Sequence, residues 1–104
     1  MNYRIIFFIL LMCFGIFFSG QAQTTKIQTV VIDAGHGGKD AGAVGKKAKE
    51  KDITLAVAKK TGEYIKKNYP NVKVIYTRST DVFVELMERA RIANSNNADV
   101  FIST

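Results

Sequence analysis

The chain has 104 residues, with 15 Lys and Arg against 9 Asp and Glu, a formal charge of +6 and 47% hydrophobic residues. That balance lies near the globular average and excludes a collagenous, low-complexity or fully disordered polypeptide. The average conceals two unlike parts, because residues 5–18 read IIFFILLMCFGIFF while everything after Gln21 is mixed polar and apolar sequence.

Arg4 precedes the apolar run, and Gly20 and Ala22 in the following SGQAQ take the minus-three and minus-one positions of a cleavage site. The pattern predicts a secretory signal peptide over residues 1–22. A spanning helix needs about 20 apolar residues, so the run is short for an anchor and no stable membrane span is expected after cleavage. Cys13 is the only cysteine; it follows the bulky Met12 inside the run and is read as a filler, not as a lipid attachment site. Residues 23–104 then form one unit that no disulfide can staple. A lone chain of this size buries only about 60% of its unfolded surface, so its length is short for a self-standing domain.

Within that unit, Ile27–Asp33 (IQTVVID) is β-branched and ends in the glycine-rich AGHGGKDAGAVG, which predicts a buried strand feeding a loop. From Glu50, the apolar residues Ile53, Ala56, Val57, Tyr64 and Ile65 recur at helical spacing until Pro70, with Lys59, Lys60, Lys66 and Lys67 largely on the other side. This predicts an amphipathic helix with those apolar positions facing inward. Val72–Thr77 predicts a second strand, Leu86, Ala90 and Ala93 a second helix ending at the Asn94–Asn97 cluster, and Asp99–Ser103 a third strand. The order β-α-β-α-β implies a three-layer α/β domain with a mainly parallel sheet and right-handed connections. Function in such a sheet gathers at the strand C-terminal ends: the loop after Asp33, the TRSTD segment, and whatever follows Ser103.

His36 is the only histidine, flanked by glycines just past the first strand. It reads either as a metal ligand or general base, or as a loop histidine bonded to a neighbouring carbonyl. Glu50 opens the long helix, where a carboxylate also complements the helix dipole. Both residues flank one loop, so a fold that sets the helix start beside the strand end brings them together. Imidazole and carboxylate together suit Zn2+, although catalytic zinc sites usually have three protein ligands. Phosphate binding is disfavoured, because there is no GxGxxG or GxxxxGK[ST] and the helix does not start directly from the turn. Lys46, Lys47, Lys49 and Lys51 form a basic loop that suits an anionic wall or membrane surface; without interleaved aromatics it does not suit nucleic acid.

The run VVIDAGHGGKDAGA, then EKDITL, TRSTDVFVELMERARIAN and ADVFIS, closely resembles the zinc-dependent N-acetylmuramoyl-L-alanine amidases, the family called amidase 3, from about Thr29 to Ser103. Ala34 stands where the family often has proline. The resemblance implies that His36 and Glu50 are the first two zinc ligands. It places the third, a histidine in a segment like SIHAN, at the position after Thr104, and the catalytic glutamate later still. On this reading residues 23–104 are the N-terminal part of an exported amidase, periplasmic or extracellular, truncated after the third strand and inactive alone. Its substrate is peptidoglycan, cut between N-acetylmuramic acid and L-alanine by zinc-activated water. Arg78, Asp81, Phe83, Leu86, Arg89, Ala93 and Asn94 match further family positions and are read as structural: the arginines pairing with carboxylates, Phe83 and Leu86 packing, Asn94 bonding backbone. Arg78 is also a candidate for substrate contact. Two other readings are a non-catalytic wall-binding module and a nonfunctional remnant.

Overall fold

The computed structural model describes residues 2–4, 20–21 and 24–104. The apolar run, Cys13 and Ala22, on which the expected signal peptide rests, lie outside the described residues. Among the described residues no helix is long and apolar enough to cross a membrane.

The elements follow in the order β1 (Thr29–Asp33), α1 (Glu50–Asn68), β2 (Lys73–Tyr76), α2 (Leu86–Ser95) and β3 (Val100–Ser103). The three strands form one parallel sheet in the order β2-β1-β3, with Val31 opposite Ile75 on one side and Phe101 on the other. β1 is therefore central and buried on both faces, which is why its sequence runs as consecutive apolar residues without alternation. Because side chains alternate across a strand, Val30, Ile32 and Ala34 share one face. They form the core with Ala58 of α1, flanked by Leu55, Ile65, Val74, Tyr76, Val100 and Ile102. Asp33 has the opposite parity and meets Arg89 of α2, so the two helices cover opposite faces and the molecule has three layers.

The inward face of α1 is not the one its apolar spacing suggests. Thr54, Ala58 and Gly62 are the buried positions, while Ile53, Val57 and Tyr64 are 53%, 47% and 67% exposed. Ala56 is exposed as well, and of the expected set only Ile65 joins the core. The reason is steric: small residues four apart let the helix backbone approach the sheet, and Tyr76 of β2 fills the space above Gly62. A Cβ on Gly62 would sit 1.8 Å from the Tyr76 hydroxyl, so Gly62→Ala should cost about 1–3 kcal/mol by overpacking. Urea titration should report this as a lower midpoint at unchanged slope; an unchanged midpoint would mean the ring is not seated there. Leu86 departs from expectation too, being 82% exposed at the start of α2.

Candidate metal centre

The three strand ends meet at Asp33. Its buried carboxylate accepts hydrogen bonds from Thr77 Oγ1 at 2.7 Å, Ser103 Oγ at 3.0 Å and Arg89 Nη1 at 2.7 Å, so β2, β3 and α2 are all tied to the tip of β1. Beyond this point the chain turns through the glycine loop, whose carbonyls would be unsatisfied in the interior without donors. Two arginines supply them. Arg89 donates to Ala34 O at 2.6 Å and His36 O at 2.8 Å. Arg78 donates to Ala34 O at 2.9 Å, Gly35 O at 2.7 Å and Lys51 O at 2.9 Å. Lys51 Nζ reaches Gly38 O at 3.1 Å and the Asp81 carboxylate at 2.8 Å, and Asp81 in turn accepts from Gly38 N–H at 2.8 Å. The loop is thus held from α1, α2 and the segment after β2.

Its second half folds back as a hairpin. Val44 and Lys49 form an antiparallel bridge, and Gly45 N–H donates to Ala48 O at 2.9 Å. The hairpin also caps α1, which has no side-chain cap: Glu50 N–H donates to Ala43 O at 2.8 Å and Lys51 N–H to Ala41 O at 3.1 Å, satisfying amides a helix start leaves free. Glu50 is thereby delivered to the loop with its Oε2 accepting from Ala43 N–H at 2.7 Å.

His36 itself has φ of 61°, a left-handed conformation in which histidine is one of the few enriched side chains. Its ring lies between two carboxylates, with Nδ1 3.0 Å from Asp40 Oδ2 and Nε2 3.2 Å from Glu50 Oε1. Gly42 makes this possible. It has φ of 65°, and a Cβ there would stand 2.7 Å from Glu50 Oε2 and 2.9 Å from His36 Cδ2. The Asp40 hydrogen bond, and after it the Glu50 carboxylate, raise the His36 pKa above its ordinary value against the opposing effect of desolvation. The Ala43 N–H, followed by His36, holds Glu50 below the usual carboxylate range. His36, followed by the Gly42 N–H, does the same for Asp40.

The His36–Glu50 pair fits a zinc ion. Two ligand atoms each about 2.0–2.1 Å from a tetrahedral metal stand about 3.3 Å apart, close to the observed 3.2 Å separation of Nε2 and Oε1. Both side chains are partly open to solvent, at 32% and 44%, so an ion could reach them. Among the described residues no three His, Cys, Asp or Glu side chains converge on one point. The cluster therefore offers two donors. Thr104, just after β3, donates its N–H to Asp33 O, its hydroxyl lies within hydrogen-bonding distance of Asp33 O and Thr54 O, and its carbonyl lies 2.9 Å from where a Gly35 Cβ would be.

The structure brings together the two residues singled out from sequence, His36 and Glu50. Arg78 lies elsewhere: it is 4% exposed, and its guanidinium is engaged with backbone carbonyls rather than with a carboxylate or the surface. Arg89 does pair with a carboxylate. Asn94 is exposed, and near the end of α2 it is Asn96 whose side chain bonds Ile92 O. Sequence reasoning passes over Asp40 and Gly42; the one signal for them is a carboxylate four residues after a lone histidine inside a glycine-rich turn.

Residues 30–104 match the family described as N-acetylmuramoyl-L-alanine amidase, Amidase 3. The chain is 51% identical over 74 residues to an endolysin of Bacillus phage SPP1, covering 71% of this chain and 27% of that protein. It is 41% identical over 85 residues to the N-acetylmuramoyl-L-alanine amidase AmiC of Escherichia coli O6:H1, covering 81% and 20% respectively. Its fold is similar to the solved catalytic domain of CwlV, an N-acetylmuramoyl-L-alanine amidase from Bacillus (Paenibacillus) polymyxa. There the TM-score is 0.68 at 49% identity, over 74% of this chain and 44% of that one. The chain thus spans about a quarter or less of these two relatives' length and under half of the solved domain.

Proposed function

The chain belongs to the N-acetylmuramoyl-L-alanine amidase family, and from that premise we propose that His36 and Glu50 are two ligands of a zinc centre that hydrolyses peptidoglycan. The bond cut is the amide between N-acetylmuramic acid and the L-alanine of the stem peptide. The observation that carries this reading is the 3.2 Å approach of His36 Nε2 to Glu50 Oε1 at the strand ends of a parallel sheet, where such folds place their chemistry. A zinc ion held there would polarise the amide carbonyl and lower the pKa of a bound water toward about 7. The chain's own part is to present a neutral imidazole and a carboxylate on a loop fixed by Arg78, Arg89 and Lys51. The family resemblance implies a third ligand, a histidine, and a proton-accepting glutamate beyond Thr104, whose carbonyl lies beside Gly35. With two ligands, residues 1–104 alone hold zinc weakly and hydrolyse little. The substrate lies outside the cytoplasmic membrane, which accords with residues 1–22 being a signal peptide and with an exported, periplasmic or extracellular protein.

Zinc titration by calorimetry tests the reading. The chain should bind Zn2+, and His36→Ala should weaken binding by more than the roughly 10–100-fold that loss of a supporting residue costs. Equal affinity in the two proteins would remove His36 from the centre. Joined to the family's downstream segment, the chain should release stem peptides from purified peptidoglycan and stop doing so on chelation.

A further inference from the structure

The structure assigns to Asp40 a role of its own: it is the positioning residue that fixes which nitrogen of His36 carries the proton and so turns Nε2 toward Glu50 as a donor for the metal. The assignment rests on the metal reading proposed above. Asp40 is not a third ligand, because its Oδ2 lies against Nδ1, the ring nitrogen opposite Glu50.

An ionised carboxylate can only accept hydrogen bonds. At 3.0 Å from Oδ2, Nδ1 is placed to donate, and a neutral ring that holds its proton there keeps a lone pair on Nε2. That lone pair faces Glu50 Oε1, another acceptor, at 3.2 Å. Two acceptors at this distance repel unless a cation lies between them, either a proton on the imidazole or a metal ion. Asp40 thus makes the space between His36 and Glu50 a place for positive charge.

Asp40 is itself fixed at three further points. Gly37 N–H donates to its carbonyl at 2.8 Å, its own N–H donates to Gly37 O at 3.0 Å, and its Oδ1 accepts from Gly42 N–H at 3.1 Å. The last bond ties the group that orients His36 to the glycine whose missing Cβ lets Glu50 approach. A carboxylate behind a ligating imidazole is a recurrent device that sets the tautomer and raises ligand basicity.

The Gly42 bond makes Asp40→Asn an informative variant. The asparagine carbonyl should keep the Gly42 N–H, which turns its NH2 toward His36 Nδ1. Nδ1 must then accept, and the proton moves to Nε2, where it bonds Glu50 and competes with the metal. His36 is the only histidine in the chain, so its ring nitrogens can be read without ambiguity by long-range 1H–15N NMR at alkaline pH in the absence of metal. The expected result is a proton on Nδ1 in the unaltered chain and on Nε2 in Asp40→Asn. Calorimetric Zn2+ affinity should fall about 10–100-fold while the melting temperature stays near that of the unaltered chain. Asp40→Ala should lose affinity to a similar degree, with the Nδ1 proton no longer held. If Asp40→Asn keeps both the Nδ1 proton and the Zn2+ affinity, the assignment is overturned. If the unaltered chain binds no Zn2+ at all, the metal reading falls, and the tautomer measurement still judges Asp40 separately.

Discussion

Arg89→Met should unfold the chain or leave it barely folded. Arg89 is 6% exposed and its guanidinium closes on the Asp33 carboxylate at 2.7 Å. Removing one partner of a buried pair costs about 3–5 kcal/mol, because the remaining charge is stranded away from water. Here the loss extends further, since His36 O and Val84 O lose their donor as well and Ala34 O is left with Arg78 alone. Small domains have net stabilities of only about 5–15 kcal/mol, and a chain this short belongs near the lower end. Urea unfolding followed by circular dichroism should therefore show a transition shifted far toward zero denaturant, or none. Arg89→Lys keeps a charge for Asp33 but not the planar fork, and should fall between the two. A methionine variant as stable as the parent would mean that the Asp33 junction does not organise the sheet.

The second large effect is on metal binding with the fold preserved. Gly42→Ala places a methyl group where Glu50 Oε2 and His36 Cδ2 now stand at 2.7 and 2.9 Å, and forces an L residue into the left-handed region at about 1–2 kcal/mol. That strain alone leaves the sheet and helices intact, but the imidazole and carboxylate can no longer share one ion. Zn2+ affinity should drop as far as in His36→Ala, while thermal unfolding stays cooperative. Gly45→Ala is the matched control: its added Cβ meets only Ala48 O at 3.3 Å, well away from the ligand pair, so zinc binding should be unaffected. Undiminished affinity in Gly42→Ala would show that His36 and Glu50 do not converge.

Much of this architecture is legible in the amino-acid sequence. The run IQTVVID, closed by a glycine-rich stretch, reads as a buried strand, and Pro70 and the Asn94–Asn97 cluster mark where the helices stop. Element order and parallel pairing follow from that punctuation, as does the meeting of His36 and Glu50 across one loop. What stays hidden depends on fit between elements. The apolar spacing of Ile53, Val57 and Tyr64 outweighs Thr54, Ala58 and Gly62, because periodicity measures hydrophobicity and not how closely a backbone must approach its neighbour. Arg78 looks available to a ligand from its place after β2; only the folded loop reveals how many carbonyls need its protons. Asp40 is marked only by standing four residues after the lone histidine in a glycine-rich turn, and its relation to His36 exists only once the turn between Gly37 and Asp40 has closed.

The bracing of the glycine loop by Arg78, Arg89 and Lys51 has one more consequence. Zinc fingers are shapeless until their ion arrives, since coordination replaces a core they lack. Here guanidinium and ammonium groups from three directions already occupy the loop's oxygens, so its contour is set by ordinary protein chemistry. If His36 and Glu50 hold zinc as proposed, such a cradle would fold where free zinc is scarce and be charged later, leaving assembly of the scaffold and acquisition of the cation as separate events.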